Sequence, residues 1–191
     1  LYVINAARYA IDDLLEESLQ TIFGIIIMPA TMLSLCGQYL ISPYLNELSI
    51  NYSKNKLTEF KNRLLKINYA FLILGIFVFL VAYFLGIPVL NMVYSIDLTD
   101  YKIAFLIIII GATFYAFSTI FSSCLTLMKR NKEQLYIFFL SSLLATIISV
   151  FLIKDYGING ASYTYAITML IHFWAMFFLI KKYLKINEVE K

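Results

Sequence analysis

The stretch Asn5-Ala6-Ala7-Arg8-Tyr9-Ala10-Ile11-Asp12-Asp13-Leu14-Leu15-Glu16-Glu17-Ser18-Leu19-Gln20-Thr21-Ile22-Phe23-Gly24-Ile25-Ile26-Ile27-Met28-Pro29-Ala30 changes character halfway along. Its first part is charged, with Arg8 alone among Asp12, Asp13, Glu16 and Glu17. From Leu19 onward no charge occurs until Glu47. An apolar run of about 20 residues, rising about 1.5 Å each, covers the hydrocarbon core of a bilayer. The apolar part therefore predicts a spanning helix and the charged part a lip at a membrane face.

Outward from that stretch the same alternation repeats. Apolar runs predict five spans, at 19–45, 67–85, 103–128, 135–153 and 159–180, and hence an all-α, polytopic membrane helix bundle. Composition agrees: 61% of the 191 residues are hydrophobic and 14% are charged, where soluble domains carry about 25% charged residues. A net charge of +3 gives no reason to expect a nucleic acid partner. Lys and Arg are unevenly placed. Five lie in 46–66 (Lys54, Lys56, Lys61, Arg63, Lys66), three in 129–134 (Lys129, Arg130, Lys132) and four in 181–191 (Lys181, Lys182, Lys185, Lys191). The alternate connections hold one each, Arg8, Lys102 and Lys154. The positive-inside rule then puts the N-terminus outside and the C-terminus in the cytoplasm, as an odd number of spans requires. The chain opens at Leu1 with no signal peptide before the first span. It reads as a C-terminal part of something longer: residues 1–18 end a preceding helix and form the extracytoplasmic lip, and 19–191 form a transmembrane lobe.

Within the first span, Gly24 and Pro29 predict a kink, and Pro43 closes the helix. In 46–66, Leu57, Phe60, Leu64 and Ile67 recur at helical spacing, with Lys56, Lys61, Arg63 and Lys66 on other faces. That pattern predicts an amphipathic helix lying on the cytoplasmic surface, its basic side chains toward anionic lipid headgroups. Between Gly86 and Tyr101, Pro88 predicts a helix end. Gly157 offers a left-handed cap in the short connection before the last span. Ser141, Ala145 and Ser149 form one small-residue ladder and Gly160, Thr164 and Thr168 another, predicting closely packed helix faces.

Chemistry-bearing groups are few. No acid falls inside a predicted span, His172 is the single histidine, and Cys36 and Cys124 sit apart within apolar runs. No metal-ligand cluster, Ser-His-acid set or phosphate-cradling glycine loop can be assembled, so neither an enzyme nor a bound cofactor is expected. His172, at mid-span, reads either as a satisfied structural group or as a cavity or proton-sensing residue. Arg8 carries the planar donor fork suited to a phosphate, although Asp12, four residues on, could equally neutralise it. Tyr9, Gln20 and Gln38 are uncharged groups able to meet sugar hydroxyls.

Several short motifs also carry a resemblance. Arg8-Tyr9-Ala10-Ile11-Asp12, Phe23-Gly24 and Met28-Pro29-Ala30, followed by Gly86-Ile87-Pro88-Val89-Leu90, Tyr94, Asp97-Leu98, Tyr101 and Tyr156-Gly157-Ile158-Asn159-Gly160-Ala161, resemble in order the bacterial polysaccharide exporters. These are the Wzx-type flippases of lipid-linked oligosaccharides, in the superfamily that includes multidrug and toxin extruders. Their pattern at the lip is Asn-x-Pro-Arg-Tyr; this chain has Ala7 in the proline position. The resemblance implies that the five spans are helices eight to twelve of a twelve-helix flippase in the bacterial cytoplasmic membrane. It implies alternating access by two lobes, the second being the missing N-terminal one, with undecaprenyl-pyrophosphate-linked oligosaccharide as substrate. Membrane lipids and a polysaccharide polymerase are the further partners implied, and an arginine at position 8 is expected near the diphosphate. A multidrug or toxin extruder would couple through buried carboxylates, a sugar transferase or polymerase would need clustered acids and large outer loops, and a structural membrane subunit would need neither.

Overall fold

A chain of apolar runs with few breakers can satisfy its backbone in a water-free medium only as helices. The computed structural model describes residues 10, 11 and 16–189, and all their regular elements are helical. Helix α1 spans Glu17–Ile41 and passes without interruption through Gly24 and Pro29. Pro43 follows in a 3-10 turn, Ser42–Tyr44, that leads into α2, Leu45–Ser53. Helix α3, Leu57–Val81, continues through a π turn, Ala82–Gly86, into α4, Ile87–Tyr94. A 3-10 turn, Thr99–Tyr101, starts α5, Lys102–Leu127, and α6 covers Asn131–Val189.

Among the described residues four helical stretches, not five, are long and apolar enough to cross a membrane: Glu17–Ser53, Leu57–Tyr94, Thr99–Leu127 and Asn131–Ile186. The expected spans 135–153 and 159–180 both lie within α6, and helical turns run right up to the single residue that breaks their path. Gly157 has φ 54° and ψ −129°, a combination essentially closed to residues with a Cβ. The chain folds back there. Ser141 Oγ lies 2.9 Å from His172 Nδ1, whereas 31 residues of straight helix would separate them by about 46 Å. The Leu152 carbonyl lies so close to Gly160 that any Cβ at 160 would strike it. With Ser141 opposite His172, antiparallel spacing sets Ala145 against Thr168 and Ser149 against Thr164. All four are buried, so the two small-residue ladders face each other across the seam.

The surface helix expected over 46–66 is divided differently. Its first part is α2 and its second is the opening turns of α3, which leads without a break into the apolar run. The separation at Asn55 comes from a left-handed residue (φ 60°), with Lys56 N–H donating to the Asn51 carbonyl and Asn55 N–H to that of Tyr52. Lys129 (φ 59°) repeats the device between α5 and α6, with Arg130 N–H on the Leu125 carbonyl. This is the helix-stopping turn in which successive N–H groups reach back over the last carbonyls. Pro88, expected to end a helix, stands in the first turn of α4 directly after the π turn, and the helical path runs on past it to Tyr94.

Helix α5 is the centre of the bundle. In its most apolar window 61% of residues are buried, against 22–39% in the other three stretches. It packs mainly against α6 and α1 and more thinly against α3. Close approach is made possible by missing side chains: a Cβ at Gly37 of α1 would lie 2.8 Å from the Ala116 carbonyl, and one at Gly111 2.9 Å from Ala166 Cα. The outer side of α3 exposes Tyr69, Leu72, Ile73, Ile76, Phe77 and Leu80. An apolar belt that continuous is what lipid would cover.

The open end of the α6 hairpin is clasped by polar groups. Tyr183 donates a hydrogen bond to Glu133 Oε1 at 2.6 Å, and Arg130 stacks over the Tyr183 ring at 4.1 Å. The Tyr183 hydroxyl, with smaller help from Arg130, holds the Glu133 carboxyl below its ordinary value of 4.5. A carboxylate held down in this way contributes stability that is present above its unfolded value and lost as pH falls through the folded one. Thermal midpoints recorded across the acid range below pH 4.5 should fall more steeply for the native chain than for Tyr183→Phe. At the turn itself, Gly157→Ala meets no steric neighbour, so its cost is purely conformational, about 1–3 kcal/mol. Gly24→Ala, also into open space but in regular helix, should stabilise by up to about 1 kcal/mol. Chemical denaturation in detergent reads both.

Candidate intramembrane polar cavity

Tyr115, Ser118, Thr119, Ser122 and Thr126 recur at three and four along α5 and therefore share one face. Most of these hydroxyls discharge their proton into the helix that carries them. Ser118 donates to the Phe114 carbonyl at 3.0 Å, Thr119 to that of Ala116 at 2.7 Å, and Thr126 to that of Ser122 at 3.0 Å. Such bonds satisfy each donor and leave oxygen lone pairs free to accept from elsewhere.

That face opens on a cavity of about 150 Å³. Gln38 of α1 closes it on one side; Phe138 and His172, one from each arm of α6, close it on the other. His172 is 1% exposed. Its Nδ1 shares the hydrogen bond with Ser141, as donor or acceptor according to the tautomer, and its ring is flanked by Phe138 (4.8 Å between centroids) and Tyr115 (6.2 Å). The Gln38 amide makes no hydrogen bond among the described residues and is exposed. Toward the α5–α6 turn the polar lining continues: Ser122 donates to the Gln134 side-chain oxygen, and Gln134 Nε2 donates to Thr126 Oγ1 at 3.2 Å. Beyond the cavity, Phe114, Phe117 and Phe121 meet Phe173 and Phe177 in a row of ring contacts that fixes α5 against the second arm.

The structure thus brings together two sequence candidates, Gln38 and His172. Gln20 stands on the same helix as Gln38, but about 27 Å away along the axis, so it belongs to the opposite end of the bundle. Arg8, Tyr9 and Asp12 lie outside the described residues. Gly24 and Pro29 stay within unbroken helix, both half-buried. Sequence reasoning missed the α5 contribution and Gln134. The signal was present as the hydroxyl spacing from Tyr115 to Thr126, but the ladders in α6 drew the reading to packing alone.

The lining is polar and uncharged. Among the described residues no Asp, Glu, Lys or Arg lines it, and no three His, Cys, Asp or Glu converge. What it offers is neutral hydrogen bonding: hydroxyl acceptors, one carboxamide and one imidazole. Comparison with known proteins finds no family model, curated relative or solved structure that matches this chain. The cavity's chemistry must therefore be read from its own residues.

Ser141→Ala removes the partner of His172 Nδ1. Hydrogen bonds between membrane helices contribute about 0.6 kcal/mol on average and about 1.7 at most, and the loss of stability should fall in that range. Equilibrium unfolding of the native chain and of Ser141→Ala in mixed micelles measures it.

Proposed function

We propose that this chain is a lobe of a membrane transporter that flips a lipid-linked oligosaccharide, with undecaprenyl diphosphate as the carrier, across the bacterial cytoplasmic membrane. In this reading the two arms of α6 each cross the bilayer, so that five crossings correspond to helices eight to twelve of a twelve-helix flippase. The basic connections face the cytoplasm. The N-terminal lobe completes the carrier, and the two lobes rock about a central path.

One observation carries the reading: the uncharged cavity in which Gln38, His172 and the α5 hydroxyls converge. Sugar hydroxyls are both donors and acceptors, and a lining of lone pairs with one amide complements them without the cost of desolvating an ion. A cation-coupled extruder would place a carboxylate at such a point, and none of the described residues lining the cavity carries one. The order of motifs along the chain supports the same family. The diphosphate would be met at the outer lip by Arg8, with Tyr9 and Asp12 beside it. A polysaccharide polymerase would take the flipped product.

Translocation of a polyprenyl-diphosphate-linked oligosaccharide, measured in vesicles holding the complete protein, tests the proposal. Gln38→Ala should slow it by about 2- to 10-fold, the worth of one neutral hydrogen bond. Arg8→Ala should slow it by about 10-fold or more, as loss of a charge-assisted bond does, with membrane insertion intact. Native rates in both variants would overturn the assignment.

A further inference from the structure

A second cavity, of about 110 Å³, lies at the opposite edge of α1, and its lining is divided in two. Leu40, Ile67 and Ala70 form an apolar half, while Tyr44, Arg63 and Lys66 form a polar one. Arg63 is oriented from two sides: its guanidinium pairs with the Glu47 carboxylate and stacks on the Tyr44 ring at 4.6 Å. Those contacts leave Nε buried and without an acceptor. Lys66, one turn further along α3, makes no ion pair among the described residues. Two cationic side chains therefore line one small cavity, and the Glu47 carboxylate paired with Arg63 is not among the described residues that line it.

The depth of this cavity identifies what would fill it. It sits where α1 ends at Ile41 and where the charged opening of α3 gives way to its uncharged apolar run, the level at which hydrocarbon meets headgroups. Arg63 and Lys66 are the two cationic side chains of that lining, and an anion held there would meet both. The apolar half continues that position toward the membrane interior along Ile67 and Ala70, as an acyl chain below a phosphate would require. We infer that the Leu40–Tyr44–Arg63–Lys66–Ile67–Ala70 cavity is a binding site for the phosphodiester headgroup of an anionic phospholipid. The lipid is a resident of the α1–α3 edge rather than cargo of the polar cavity, and the inference needs only a membrane around the bundle. It stands whether or not the chain moves oligosaccharides. Basic pockets between spanning helices are a known setting for such headgroups.

The test is a native mass spectrometry titration of the full chain with phosphatidylglycerol and, separately, phosphatidylcholine. It is paired with thermal unfolding in vesicles of three parts phosphatidylcholine to one part phosphatidylglycerol. Phosphatidylglycerol should bind preferentially, and Lys66→Gln should weaken it about fivefold, the effect of one cation at a membrane surface. Arg63→Lys, which keeps the charge but loses the fork, should also weaken it. Lys54→Gln removes equal charge from the exposed turn before α3 and should leave binding within a factor of about two, well short of the effect of a surface cation. Equal losses in Lys54→Gln and Lys66→Gln would reduce the effect to diffuse attraction and overturn the site. So would equal affinity for the two lipids. Protection of the detergent-solubilised chain by inorganic phosphate to the same degree as by phosphatidylglycerol would show a soluble anion as the occupant and overturn the lipid assignment.

Discussion

A helix enclosed by neighbours inside a bilayer gains no hydrophobic advantage from enclosure, because lipid is as apolar as the protein. It must be held by close contact instead, and close contact demands small side chains. Helix α5 meets that demand with Gly111, Ala112, Ala116 and a run of serines and threonines, and its partners answer with Gly37 and Ala166. Everything central to the molecule follows from this economy of volume. The residues small enough to let α1 and α6 approach are largely hydroxylated. Where the approach is imperfect, between Gln38 and His172, the remaining space is bounded by polar groups. The cavity is thus a by-product of the packing rule as well as the place where chemistry collects.

Ionised groups obey a second rule, since charge deep in hydrocarbon is expensive. Arg63 and Glu47 pair beside the α2–α3 turn, and Arg130 and Glu133 pair beside the α5–α6 turn. Both lie at helix ends and both involve a tyrosine, Tyr44 or Tyr183. The interior is left with neutral donors and acceptors, the periphery with the ionised groups. A ligand having both a hydroxylated and an anionic part would have to be met by two regions, and this division of labour makes the inner cavity and the basic edge distinct in kind.

Reading the sequence located the apolar runs, the basic turns and the faces of the two ladders, because each depends on local spacing and residue type. Ser141, Ala145, Ser149, Thr164 and Thr168 were legible as packing residues for that reason, and all are buried. Convergence of Gln38 with His172 was not legible: they are remote in sequence, and only the packing of α1 and α6 on a common helix brings them together. The count of spanning helices differed because one glycine replaced a loop. The turn at Gly157 (φ 54°) stands where the sequence predicts a left-handed cap, but it interrupts the helical path for one residue only, so both expected spans fall within one element. Likewise the continuity from Leu57 to Tyr94 was hidden by Pro88, which reads as a stop but follows directly on the π turn, through which the helical path continues.

The π turn at Ala82–Gly86 deserves its place in that long rod for a reason of phase. Phe71, Gly75 and Ala82 face inward, and regular winding would next bring Leu85 and Val89 to the same side. Both instead face out, 55% and 52% exposed, while Ile87 and Leu90 face in. One additional residue in the turn acts as a slip of the vernier, rotating everything beyond it by about 100°. It keeps a single stripe pointed at Phe105 and its neighbours over a rod too long for an ordinary helix to stay in step.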